Sequence, residues 1–158
     1  MIGEREMQVD ESLYMKFPVA LQRKLLNKEI EFPDTTKFTY ERLLTYRAVT
    51  RNYDDNREVT LEDFKSYYEL KKTPKIPRGM RKDLITDPHY YGVSSFLKKE
   101  IVEQKMKFPN PKKKMAVGYV YSEGGPEDTN EKDQHVCWWL YQGADVSGFK
   151  LIGENNNE

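Results

Sequence analysis

The chain is poor in the residues that most often announce a chemistry. It has one cysteine, Cys137, so no internal disulfide can form. It has two histidines, His89 and His135, so a zinc site would have to be completed by carboxylates. No Gly-rich phosphate loop, G-x-S-x-G elbow or H-E-x-x-H pair occurs. No apolar run approaches the length of about 18 residues that a membrane-spanning helix needs. The first residues, MIGEREMQVDES, carry acids and no apolar run, which does not read as a secretory signal. Position 2 is not glycine, so the myristoylation pattern is missing as well. With a lone cysteine, these absences predict a cytoplasmic protein and no membrane contact. Net charge is also lacking, since 26 basic residues balance 26 acidic ones.

Apolar residues make up 37% of the chain, below the share usual for a globular domain. Aromatics compensate: 11 Tyr, 7 Phe and 2 Trp are present, and each buried ring removes roughly 150–250 Å² from water. The length of 158 residues suits one domain, read as 13–152 with loose ends at 1–12 and 153–158.

Pro18 opens a short predicted helix over 18–29, with Val19, Leu25 and Leu26 on its apolar side. Residues 44–50 read as a strand, because Leu44, Tyr46 and Ala48 alternate. Thr60 with Asp63 three residues on resembles a capping box and predicts a helix towards Leu70. A strand is expected at 90–94 and a helix at 96–107, with Ser94 or Ser95 at the turn between them as cap. In the last third, 115–121 alternates with Met115, Val117, Tyr119 and Tyr121 on one face. The run HVCWWLY over 135–141 is apolar on both faces and is placed centrally in a sheet. FKLI over 149–152 completes the set. Helices followed by strands predict an α+β fold, with N-terminal helices packed on a mainly antiparallel sheet that ends in a β-meander. The connection 122–134, SEGGPEDTNEKDQ, holds five acids and one lysine and reads as a long solvated loop. Its acids lack the spacing of a calcium loop.

Charge is segregated. Residues 71–114 hold 13 basic and 4 acidic side chains, whereas 123–158 hold 2 basic and 8 acidic. The basic segment allows phosphate or nucleic-acid contact, but a neutral total is not the signature of a nucleic-acid protein.

Six residues stand out as ligand-binding candidates. His135 opens the apolar strand, and alternation puts it on one face with Cys137, Trp139 and Tyr141. An imidazole there can act as acid, base or hydrogen-bond partner. Arg47 lies inside an apolar strand and needs an anion, either Asp63 or Glu69 within the fold or a ligand. Ser94 and Ser95, at a strand-to-helix turn, suit anion binding or simple capping. Cys137 reads as a buried small hydrophobe and His89 as surface. Arg47, both serines and His135 are expected to share one hollow because their strands are neighbours.

In order, TYRAVTR, EDFKSYYEL, YYGVSSF and HVCWWLY resemble a group of small uncharacterised bacterial proteins over residues 43–152. That group implies no activity. Arg47 followed by the Ser94 region is also similar to the order in ADP-ribosyltransferases, which use an Arg, a Ser-x-Ser strand and a catalytic Glu. The resemblance implies that Arg47 grips NAD phosphates and that Ser94 shapes a nicotinamide pocket. The late strands carry no E-x-E, and residues 94–95 are Ser-Ser followed by Phe. The expected function is therefore a non-catalytic bacterial binding or accessory protein. Its partner would be a protein or a small anionic ligand, and the residues specify no metal or cofactor. An NAD-using enzyme and nucleic-acid binding through 71–114 are the alternatives.

Overall fold

The computed structural model describes residues 12–52, 54–66, 87–106 and 113–152. Its frame is one six-stranded sheet. The strands are β1 (Leu43–Thr50), β2 (Val93–Phe96), β3 (Lys113–Val120), β4 (Glu127–Asn130), β5 (His135–Trp138) and β6 (Lys150–Leu151). They lie in the order β4-β5-β2-β1-β3-β6, and every neighbouring pair is antiparallel. Its helices include α1 (Val19–Leu26) and α2 (Lys99–Lys105). The α+β class is as the sequence predicts. The meander is corrected: the C-terminal strands divide, β3 and β6 at one end of the sheet and β4 and β5 at the other.

Each face of the sheet buries its own apolar cluster. On one face Val49, Val93, Ala116, Val120, Val136 and Trp138 pack under Val59, Phe64, Val146 and Phe149, which come from the loops. This is the loop face. On the other, Cys137 and Trp139 pack under Phe17, Leu21, Leu25 and Ile30 of the α1 region and under Tyr91. Helix α2 lies near β1 and β2, with Val102 buried. This is the helix face. Residues 136–139 are buried on both sides, each at most 1% exposed, which is what an unbroken apolar run predicts.

Strand β3 buries most fully the side that carries its small residues, while the side with its larger residues is buried only at Met115. Ala116, Gly118 and Val120 are buried, while Tyr119 is 48% exposed. The reason is steric. A Cβ at Gly118 would lie 2.4 Å from the Phe149 ring, so the small side of β3 is the one that admits that ring. The segment 122–134 is also corrected. It holds β4, and Gly124, Gly125, Pro126 and Glu127 are buried. Gly125 has φ 142° and passes so close to Trp139 that a Cβ would meet its carbonyl oxygen at 1.9 Å.

Thr60 and Asp63 form the expected capping box, but the box opens only a single 3-10 turn, Leu61–Asp63. Residues 64–66 are not helical, which corrects that part of the predicted helix; its remainder with Glu69 lies outside the described residues, as do both expected loose ends apart from Ser12. Asp63 is used twice. Its carboxylate accepts from the Thr60 backbone N–H at 3.0 Å and takes both ends of the Arg51 guanidinium, at 2.7 and 2.8 Å. Arg51, 2% exposed, also donates to the carbonyls of Thr50, Arg57 and Glu58. Burial pushes the Asp63 carboxyl upward. The Arg51 hydrogen bonds, the Thr60 N–H and the Arg51 charge together outweigh burial and leave it below its ordinary value.

Breaking a buried pair strands the surviving charge, at a cost of about 3–5 kcal/mol. Asp63→Asn and Arg51→Met should each lose about that much in urea unfolding. Because the folded carboxyl is depressed, its contribution is complete above the unfolded value of about 4 and is lost as pH falls through the folded one. The acid limb of the stability curve should therefore be shallower in Asp63→Asn, and an unchanged limb would contradict the assignment.

Candidate functional site

Strand register settles which candidates meet. Ser94 stands opposite Cys137, and Phe96 opposite His135, all on the helix face. The Ser94 Oγ lies 2.9 Å from His135 Nε2. The Phe96 ring packs 5.1 Å from the imidazole. Burial holds His135 below its ordinary value, the charges of His89 and Lys105 act in the same direction, and Asp133 and Asp128 oppose. At neutral pH the ring is thus neutral and Nε2 can accept the Ser94 proton.

Arg47 and Ser95 belong to the other face, which corrects the single hollow. Strand adjacency is as expected, since β2 lies between β1 and β5. Side chains alternate, however, and Arg47 stands opposite Ala116 on the loop face. Its guanidinium crosses the Phe64 ring at 4.9 Å and donates to the carbonyls of Ser94 at 2.5 Å and Asp63 at 3.1 Å. Of the two acids expected as its partner, Asp63 meets it through the backbone carbonyl and gives its carboxylate to Arg51, and Glu69 lies outside the described residues. Ser95 is 3% exposed beside Val136. Neither serine caps a helix: both lie within β2, and α2 begins after Lys98 without a side-chain cap. The positions of Arg47 and Ser94 on opposite faces do not form the NAD pocket that the ADP-ribosyltransferase resemblance implies.

Trp139 is on the helix face but fully buried, its indole N–H donating to the Pro88 carbonyl at 2.8 Å. Above it lies a group missed in the sequence. His89 is held between two carboxylates, Nδ1 at 2.9 Å from Asp87 and Nε2 at 3.0 Å from Asp128. The Thr35 hydroxyl donates to the other Asp128 oxygen at 2.5 Å. Burial pulls the imidazole down, but the hydrogen bonds and charges of Asp128 and Asp87 outweigh it and hold His89 above its ordinary value. His89 thereby fastens the Pro88–Tyr91 turn to β4. The available signal was D-P-H at 87–89, in which Asp87 also accepts from the His89 N–H. The second partner was hidden because 122–134 reads as loop. Beneath the turn Cys137 is sealed, and burial raises its thiol well above the ordinary range. On the loop face of β4 the buried Glu127 accepts from Thr129, and burial raises its carboxyl.

Tyr141 is separated from this group. It leaves the end of β5 and lines a cavity of about 380 Å³ between α1 and the 61–66 turn. Leu21, Phe64, Tyr91, Val93 and Leu140 supply apolar walls, and Gln142 and Lys65 lie at the same cavity. Burial raises the Tyr141 hydroxyl, which stays protonated at neutral pH. The Phe17 ring packs on Tyr141 at 5.1 Å, and Gln142 donates to the Phe17 carbonyl at 2.6 Å. These contacts tie the start of α1 to the cavity wall.

Among the described residues no group of three His, Cys, Asp or Glu side chains is arranged to hold a metal. No described helix is long and apolar enough to cross a membrane. Much of the basic segment 71–114 lies outside the described residues. Comparison with protein-family models, curated proteins and solved structures finds no match to this chain.

The two histidines should titrate in opposite directions. Imidazole NMR should place His89 above and His135 below the ordinary value of about 6.5. His89 stabilises the fold fully below that unfolded value, and its contribution is lost as pH rises through the raised folded value. For His135 the sign reverses, and stability falls as pH drops through the unfolded value towards the folded one. His89→Asn should remove the alkaline loss; a variant that keeps it would refute the clasp.

Proposed function

We propose that this protein is a binding protein that takes a small, mainly apolar ligand, or an apolar side chain of a partner, in the cavity beside Tyr141. The observation that supports it is the cavity itself. Its volume of about 380 Å³ falls in the range of small-molecule sites, and its apolar walls with a few polar groups are their usual lining. A small anion has less support. The cations around the candidate residues are engaged within the fold: Arg47 with two carbonyls, His89 with two carboxylates, and Lys65 with Glu62 at 3.1 Å.

Phenol is a suitable probe, because its ring matches the walls and its hydroxyl can reach a polar group. Millimolar phenol should shift the amide signals of Leu21, Tyr91, Leu140 and Gly143. Ala20→Trp, at a half-buried position on the rim, should fill the cavity and abolish the shifts while leaving the fold intact. Shifts absent in the parent protein, or unchanged in Ala20→Trp, would exclude this site.

One observation favours a second reading as a hydrolase. A serine hydroxyl 2.9 Å from a neutral imidazole is the arrangement of a nucleophile and its general base, and Ser94 is exposed. Slow turnover of p-nitrophenyl acetate, lost in Ser94→Ala and in His135→Asn, would support it. No turnover above the background of free imidazole, together with no fluorophosphonate label on Ser94, would dismiss it.

A further inference from the structure

A second cavity, of about 460 Å³, lies at the C-terminal end of α1, beside Leu25 and Leu26, and is lined by Tyr14, Phe32, Phe38 and Thr36. Its aromatic rings are set at steep angles. Phe32 and Phe38 meet at 5.6 Å with 80° between their planes, and Tyr14 and Phe32 at 6.4 Å with 58°. Phe32 is anchored from behind by Phe17 at 5.5 Å and Trp139 at 4.7 Å, so the middle ring is fixed by the core. Phe38, by contrast, is 37% exposed, more than an aromatic side chain serving only the core needs to be. Three rings at these angles make a corner, whereas parallel rings would make a stack.

The polar groups at the same cavity favour one sign of charge. Glu31 and Asp34 lie on it against one cation, Lys28. Thr36 also lines it, and its hydroxyl oxygen is buried with no hydrogen-bond partner among the described residues. Such an oxygen can accept one N–H from an incoming group. Aromatic walls attract a cation through the negative faces of the rings, and an alkyl cation gains apolar contact with them as well. A metal ion would find too few oxygen ligands here, and a neutral alkyl group would leave the acids unused.

We propose that this cavity binds an alkylammonium group. The aromatic corner holds the alkyl part and the charge, Glu31 and Asp34 attract the cation, and Thr36 accepts one N–H. The same chemistry is carried by a free aliphatic amine and by the end of a lysine side chain in a partner. This site stands apart from the Tyr141 cavity and does not depend on it.

The test compares n-butylammonium with 1-pentanol, a neutral chain of similar size, by calorimetry and by amide shifts at Phe32, Thr36 and Phe38. A preference for the amine of about 2- to 30-fold is expected from the strength of cation–π contacts. Phe38→Leu keeps an apolar wall and removes one ring at a partly exposed position, so it should fold normally and lose most of that preference. Glu31→Gln with Asp34→Asn should weaken the amine and leave the alcohol unchanged. A blocked Gly-Lys-Gly peptide separates the sources: tighter binding than butylammonium assigns a lysine side chain, and weaker binding a free amine. Equal affinity for amine and alcohol, an unaltered preference in Phe38→Leu, or no shifts with either amine or peptide would overturn the proposal.

Discussion

The placement of the loop face rests on where a buried guanidinium finds its acceptors. Arg51 comes directly after β1 and is almost wholly withdrawn from solvent. A charge in that position is tolerable only when its donors are met. Asp63 and the carbonyls of Thr50, Arg57 and Glu58 meet them, which requires the chain from 57 to 63 to curl back around the end of the strand. That curl carries Val59 and Phe64 into the core. Phe64 then meets Trp138 at 6.1 Å and Phe149 at 4.8 Å, and supports the Arg47 guanidinium. It also walls the Tyr141 cavity, so that hollow inherits part of its shape from an ion pair at the same end of the strands.

The sequence made the sheet's middle legible and its edges less so. HVCWWLY declares its two-sided burial through composition alone, and β1 shows its alternation with only one extra residue, Leu43. Misreadings occurred where size and hydropathy pointed the wrong way. In β3 the bulky side is buried at Met115 but exposed at Tyr119, and the ring of Phe149 packs on the side with Gly118. Packing against a partner so distant along the chain cannot be read from local periodicity. In 122–134, acids and glycines suggest solvent, yet Gly124 and Gly125 are small because Trp138 and Trp139 crowd them. The short strand β4 consequently went unseen, and with it the acceptor of His89.

For the candidate residues, the sequence captured strand adjacency but missed parity. Ser94 and His135 meet because both occupy the same alternation on neighbouring strands. Arg47 lies one strand from Ser94 but on the wrong count, so its side chain leaves through the opposite side and meets Ser94 at its backbone carbonyl. A shift of one residue in the β1–β2 pairing would have reversed this, and nothing in TYRAVT or YYGVSS specifies that register. The aromatic corner at Tyr14, Phe32 and Phe38 was likewise invisible, because Tyr14 comes from a helical turn and the two phenylalanines from the connection before β1, with no shared period.

Trp138 and Trp139 are joined by one peptide bond yet report on different layers of the molecule. The first indole contacts Phe64, Tyr121 and Phe149, and the second Phe32 and His89. A rigid dipeptide thus rivets the two packing layers together through the sheet. Loosening either layer tugs on the anchor of the other, which favours a single concerted melting transition over stepwise peeling. The fluorescence of this one dipeptide monitors both layers at once.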